Sequence, residues 1–215
     1  VKSGGGKASV NSARTSITFR AAVCAFAITG CLVSGIAEAN VIQGPGAAAT
    51  GSNSVAVGDN AKSAGAKSVA VGNDATTLAT SENGIAIGNG AKAEGQQRVN
   101  VPYPAGTIAI GQGSVAKENG DIVIGRQAKS TISKYHQQPG SGAVVMGAEA
   151  ASYGSRGDVV IGAAAEANII RKNATVDGDG QLFSQSVAIG SVAKVYGTQS
   201  VAIGGDVRSI GHSSI

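Results

Sequence analysis

Side chains suited to acid–base or nucleophilic chemistry are few in this sequence and lie far apart. The histidines are His136, within a stretch that interrupts a repeated pattern, and His212, near the C-terminus. Neither belongs to a motif that pairs a histidine with a carboxylate or with a nucleophile. We interpret both as surface histidines, and we expect no catalytic residue, no cofactor and no metal site.

One acidic run, Asp177-Gly178-Asp179-Gly180, resembles the start of a calcium-binding loop. It lacks the later acidic ligand that completes such a loop. The alternating Asp and Gly residues favour a turn at the tip of a long insertion. The nearby sequence NAT at residues 173–175 fits a glycosylation sequon, a match that carries little weight alone.

Residues 1–39 have the pattern of a secretory signal peptide. A basic segment ends at Arg20, an apolar stretch follows from residue 21 to about residue 36, and Ala37-Glu38-Ala39 offers a small-x-small cleavage site. We predict cleavage after Ala39. Because both cysteines, Cys24 and Cys31, precede that site, the mature chain would contain no disulfide.

Two other interpretations of this leader segment remain open. The sequence ITGC at residues 28–31 resembles a lipobox, which would make Cys31 a lipidated N-terminus. A permanent transmembrane helix is disfavoured, because the apolar stretch is short and is interrupted by Gly30 and Gly35.

Composition excludes the broad core of an ordinary globular enzyme. The chain has 33 glycines, no tryptophan and only 3% aromatic residues, so Ala, Val and Ile must supply a thin interior. The net charge of +4 belongs mainly to the leader: residues 40–215 hold 13 basic and 12 acidic residues, a net charge of +1. We therefore expect no nucleic-acid partner.

A repeated apolar phrase organises the chain after the leader. It first reads SVAVG at residues 54–58, and it recurs in nine copies whose closing glycines are 14, 16, 23, 14, 22, 15, 28 and 14 residues apart. The shortest spacing is fourteen residues, and every other spacing is longer. This pattern is typical of stacked coils of fourteen residues that carry insertions. The closing glycines are Gly58, Gly72, Gly88, Gly111, Gly125, Gly147, Gly162, Gly190 and Gly204.

Each coil is predicted to contain two strands joined by glycine-rich turns, with residues 40–51 as a lead-in and residues 52–215 as the solenoid. Side chains alternate along a strand, so the small Ala56 and Ala61 would lie inside the coil and Lys62 in water. The opposite assignment, with Val and Ile inside a self-sufficient monomer, remains open.

In the preferred assignment, the two large apolar residues of each phrase form a stripe on the outside of the roll. An exposed apolar stripe of this length would cause aggregation, so we predict that it is the interface of a symmetric homo-oligomer. The stripe consists of Val55, Val57, Val69, Val71, Ile85, Ile87, Ile108, Ile110, Ile122, Ile124, Val144, Met146, Val159, Ile161, Val187, Ile189, Val201 and Ile203.

The phrases NSVAVG at residues 53–58 and SVAIG at residues 186–190 and 200–204 resemble the repeats of YadA-like heads in trimeric autotransporter adhesins. The resemblance covers about residues 49–205. It implies an all-β fold, a left-handed parallel β-roll of about nine 14-residue coils with loop insertions, assembled as a homotrimer. It also implies export across the inner membrane, display on a Gram-negative outer surface, and attachment to host extracellular matrix proteins or cell-surface receptors without catalysis.

Two features depart from the family pattern. Val123 and Val145 replace the small central residue of their phrases, and several coils carry insertions. No heptads and no barrel strands precede Ile215, so we expect membrane anchoring only through a C-terminal region beyond this sequence.

Three insertions hold the ligand-binding candidates: residues 96–105, 133–141 and 169–183. Tyrosine and arginine are favoured binding anchors, and aromatic residues are otherwise scarce here. Equally, these rings could pack on the roll and hold the loops in place, as we expect of Tyr153 and Tyr196 in the regular coils. The candidates are Arg98, Tyr103, Tyr135, His136, Arg171, Lys172 and Phe183.

Two other functions remain open. A left-handed β-helix acyltransferase also repeats apolar-Gly phrases, with His136 as its candidate base, but its coils advance in hexapeptides and fourteen is not a multiple of six. The second alternative is a purely structural spacer of a surface fibre.

Overall fold

The computed structural model describes residues 40–96, 106–131, 142–153, 157–169, 185–197, 199–211 and 213–215. These residues form two parallel ten-stranded sheets, and the chain alternates between the sheets strand by strand. The first, here the Val/Ile sheet, contains β1 (Val41–Gln43), β3 (Val55–Val57), β5 (Val69–Val71), β7 (Ile85–Ile87), β9 (Ile108–Ile110), β11 (Ile122–Ile124), β13 (Val144–Met146), β15 (Val159–Ile161), β17 (Val187–Ile189) and β19 (Val201–Ile203).

The second sheet, here the polar sheet, is built from the intervening strands. It contains β2 (Ala48–Ala49), β4 (Lys62–Ser63), β6 (Thr76–Thr77), β8 (Lys92–Gln96), β10 (Val115–Glu118), β12 (Lys129–Ser130), β14 (Ala151–Ser152), β16 (Glu166–Ala167), β18 (Lys194–Val195) and β20 (Arg208–Ser209). The predicted all-β parallel roll is confirmed.

Insertions leave the register of the Val/Ile sheet unchanged. Val55 pairs with Val69 one repeat later. Ile122 pairs with Val144, and Val159 with Val187, in the same way across much longer separations. The strands of the Val/Ile sheet on either side of each long insertion therefore pair at equivalent positions.

The roll contains one strand pair more than the nine phrases. Residues 41–49, expected as part of a lead-in, form β1 and β2, and β1 pairs in register with β3. The segment VIQG at residues 41–44 keeps the closing glycine but has Gln43 at the second outward position. A search for apolar phrases therefore overlooks it.

Backbone contact explains why each phrase ends in glycine. Gly58 has a φ of +122°, and a Cβ there would lie 2.6 Å from the carbonyl oxygen of Gly72, the equivalent glycine of the next coil. The same approach recurs at Gly111, where a Cβ would meet the Gly125 oxygen at 2.5 Å. Such distances leave no room for a side chain, so successive turns stack only on glycine.

Small side chains fill the space between the sheets. Ala56 and Ala61 are fully buried, while their neighbours Val55 and Val57 are half-buried on the outer face and Lys62 is exposed. The predicted orientation of the strands is confirmed, and the alternative that placed the large apolar residues inside is wrong. Among the described residues, four interior positions do accept valine, namely Val123, Val145 and Val160 in the Val/Ile sheet and Val195 in the polar sheet, without displacing the apolar residues outside.

Buried hydroxyl groups line one side of the interior. The Ser68 Oγ lies 2.6 Å from the Ser63 Oγ and 2.9 Å from the Thr77 Oγ1, so neighbouring coils exchange hydrogen bonds through their side chains. Ser68 also donates to the Gly65 carbonyl at 2.6 Å. Short side chains of this kind can satisfy one another in a layer too thin for larger residues.

Candidate functional site

The apolar stripe is a continuous surface along the outer face of the Val/Ile sheet. Its residues stack in register from coil to coil, as Ile108 does between Ile85 and Ile122. The most open of them is Ile203, with 64% of its surface exposed at the last strand, and Ile87 is still 38% exposed in the middle of the roll. The fold therefore leaves this face uncovered by the chain's own described residues.

The proposed ligand-binding residues of the insertions lie outside the described residues. They are Arg98, Tyr103, Tyr135, His136, Arg171, Lys172 and Phe183, and the same holds for the acidic run at 177–180, the sequon at 173–175, His212 and the two cysteines.

The tyrosines of the regular coils are described. Tyr153 is 7% exposed, and its hydroxyl donates to the Glu166 Oε1 at 3.3 Å. The Lys129 Nζ lies 5.7 Å from the centre of its ring, within range of a cation–π contact. Lys194 completes this group, with its Nζ 3.7 Å from the Glu166 Oε2. These contacts support the structural role expected for Tyr153.

Two buried aspartates join the ends of two of the three long insertions, a feature that the sequence pattern alone does not predict. Asp121 is 1% exposed, and its Oδ2 accepts a hydrogen bond from the Ser130 Oγ at 2.6 Å. Its Oδ1 accepts from the backbone N–H of Ala143 at 3.1 Å. Ser130 precedes the stretch at 132–141 and Ala143 follows it, so one carboxylate links both ends of that insertion.

Asp158 repeats this arrangement at the insertion around residues 170–184. It is fully buried, and the Asn168 Nδ2 donates to its two oxygens at 2.9 and 2.8 Å. The backbone N–H of Ser186 donates to its Oδ1 at 3.0 Å, and the Ser152 Oγ donates to its Oδ2 at 2.7 Å. Accepting every one of these bonds suits an ionised carboxylate, which has no proton to donate.

A sequence signal for these carboxylates exists. Asp121 and Asp158 occupy the first position of their phrases, where four of the nine copies have Ser, and their phrases directly precede the glycine spacings of 22 and 28. The remaining long spacing, 23, runs from Gly88 to Gly111, after a phrase whose first residue is Gly84, and is bridged differently. There the strand β8 extends to Gln96 and pairs irregularly with β10. The described residues thus show two ways of closing the base of an insertion.

The described residues contain no helix long and apolar enough to cross a membrane. Across the same ranges, no group of three or more His, Cys, Asp or Glu side chains is placed to hold a metal ion.

Comparison with known proteins gives one match. A sequence model of two copies of the YadA head domain repeat matches residues 49–75, 79–97, 105–128 and 184–206. The matched segments contain seven of the nine phrases, and the other two, at residues 143–147 and 158–162, both have valine at the buried centre. None of the curated proteins compared with the chain matches it.

Proposed function

Because the chain belongs to the YadA-like heads of trimeric autotransporter adhesins, we propose that it is the adhesive head of a Gram-negative surface fibre. It is exported through cleavage of residues 1–39, assembles as a homotrimer, and attaches by multivalent binding to host extracellular matrix proteins or cell-surface receptors. It performs no catalysis.

The uncovered apolar stripe is the observation that supports this proposal most. Burying one Val or Ile side chain stabilises a protein by about 1.5–3 kcal/mol relative to full exposure. The stripe carries two such residues in each coil from β3 to β19, or Met in one place, and the roll itself leaves them partly exposed. Three rolls that meet along their stripes would bury the full length of this surface.

The insertions are the proposed ligand-binding elements. The carboxylates of Asp121 and Asp158 fix where two of them leave and rejoin the roll. Loops held on a rigid scaffold are common binding sites, and three copies in a trimer raise the effective affinity for a repetitive matrix.

Binding to immobilised collagen, fibronectin or laminin tests this function. The exported protein should bind at least one of them, and Tyr135→Ala or Phe183→Ala should weaken that binding, whereas Tyr196→Phe should not. Absence of binding to all three by a folded trimer would favour the structural spacer.

The architecture argues against the acyltransferase alternative. A hexapeptide β-helix has three sides to each coil, whereas each coil of this roll contributes one strand to each of two sheets. An acyl-CoA turnover assay should accordingly show no activity.

A further inference from the structure

The outward face of the polar sheet carries a file of basic residues. The first residue of each polar strand is in register with its counterparts, as in the pairs Lys62 with Thr76 and Thr76 with Lys92, and apart from the buried Ala151 these residues are exposed or half-buried on the outer face. Five of the ten positions in this file are Lys or Arg and one is acidic. The five basic residues, here the basic file, are Lys62, Lys92, Lys129, Lys194 and Arg208, and the acidic residue in the same row is Glu166.

Three of the five basic residues in the file recur at a regular interval. Lys62, Lys92 and Lys129 lie in alternate coils, separated by Thr76 and Val115. Adjacent strands are about 4.8 Å apart, so these ammonium groups recur at about 10 Å, and the file from coil two to coil ten is about 40 Å long.

Neighbouring acids offset only part of this charge. Glu166 is already engaged by the Lys194 Nζ and by the Tyr153 hydroxyl. Among the described strands, the other acid on the same face is Glu94, two residues after Lys92 in β8, and Lys117 of the neighbouring strand β10 adds a further basic residue. The exposed Asp59 and Asp206 belong to turns rather than to the sheet.

The two faces of the roll have different roles in this arrangement. The apolar stripe and the basic file lie on opposite sheets, so an assembly through the stripe leaves the basic file facing outward. A trimer would present three such files, each parallel to the fibre axis.

We propose that the basic file binds a linear sulfated polysaccharide of the host matrix, lying along the polar sheet. This inference rests on the proposed adhesive function and names one ligand class for it. A linear chain with regularly spaced anionic groups matches a straight file of ammonium groups in charge and in shape. The file itself contains no aromatic residue on which bases could stack, which disfavours single-stranded nucleic acid.

Heparin is the probe for this site. The double variant Lys62→Gln/Lys92→Gln should weaken heparin binding at least about tenfold at low salt. By analogy with phosphate contacts, the slope of log affinity against log salt should fall by about 2. The control, Lys67→Gln/Arg126→Gln, removes two basic residues from turns, of which Arg126 is ion-paired with Glu149, and should change affinity less than about twofold.

Oligosaccharide length provides an independent readout, because affinity should rise until the chain reaches the length of the file. Three results would overturn the proposal: no heparin binding by the folded parent, equal losses in both double variants, or equally tight binding of single-stranded DNA. Since the probe contains no protein, such a failure leaves binding to collagen, fibronectin or laminin, the test of the adhesive function, unaffected.

Discussion

At the scale of single residues, the carboxylate of Asp158 holds together Asn168 and Ser186, which lie on either side of a long insertion. Replacing it with Ser, the residue found at this position in several other coils, leaves a buried amide and a buried N–H without their acceptor. Each unsatisfied group costs about 1–3 kcal/mol. We expect Asp158→Ser to lower the free energy of unfolding by about 2–4 kcal/mol and to increase protease cleavage within residues 170–184.

Urea unfolding and limited proteolysis measure these two effects. The control is Asp59→Ser, which removes an exposed turn carboxylate and should change stability by less than about 0.5 kcal/mol. An unchanged unfolding curve for Asp158→Ser would mean that the cost of burying the carboxylate cancels its hydrogen bonds.

A second residue-scale prediction concerns Val192. Its φ of +61° is an unfavourable conformation for a β-branched residue, at a turn position where an earlier coil has Asn60 with a φ of +55°. Val192→Asn should raise the free energy of unfolding by about 1 kcal/mol. In the same denaturation assay, Val207→Asn, at an almost equally exposed valine without a positive φ, should give no such gain.

At the scale of the structural elements, the column of closing glycines determines how closely the coils stack. Gly111→Ala would place a methyl group 2.5 Å from the Gly125 carbonyl oxygen, and backbone must move to accommodate it. We expect a loss of more than about 3 kcal/mol in thermal or chemical unfolding.

A variant at Gly113 distinguishes the effect of this steric clash from the effect of a positive φ. It also has a positive φ, +63°, but a Cβ there would meet its nearest neighbour at 3.7 Å. Gly113→Ala should therefore cost only about 1 kcal/mol, and equal losses for the two variants would show that close stacking is not the cause.

The elements of the fold could be predicted from the sequence because one phrase repeats with little variation. Strand alternation placed Ala56 inside and Val55 outside, and burial agrees. The hydrogen bonds that join the ends of the insertions could not be predicted in the same way, because the partners of each aspartate are distant from it in the sequence. Its partners, such as Asn168 for Asp158, become adjacent only when the roll is built.

Variable spacing hid the basic file for the same physical reason. Lys62, Lys92 and Lys129 are 30 and 37 residues apart in the chain, yet they lie at intervals of two coils. Insertions change how far apart equivalent residues lie in the sequence, although these residues still align between coils. The net charge of +1 does not reveal the charged face either, because it sums over all faces of the roll.

At the scale of the whole molecule, the apolar stripe is central, because a threefold assembly would surround each of its residues with copies of itself. Ile110 lies in the middle of the stripe, between Ile87 and Ile124. An aspartate there would face two identical charges in a poorly solvated interface, at a cost of several kcal/mol. Ile110→Asp should therefore prevent assembly, whereas Lys117→Asp, on the polar sheet, should not.

Light-scattering mass of the exported protein, measured over a range of concentrations, tests this account most directly. The parent and Lys117→Asp should converge on three times the protomer mass as concentration rises, and Ile110→Asp should remain a folded monomer. A parent that stays a soluble, folded monomer at high concentration would contradict the account, because the apolar stripe would then need no second copy to cover it.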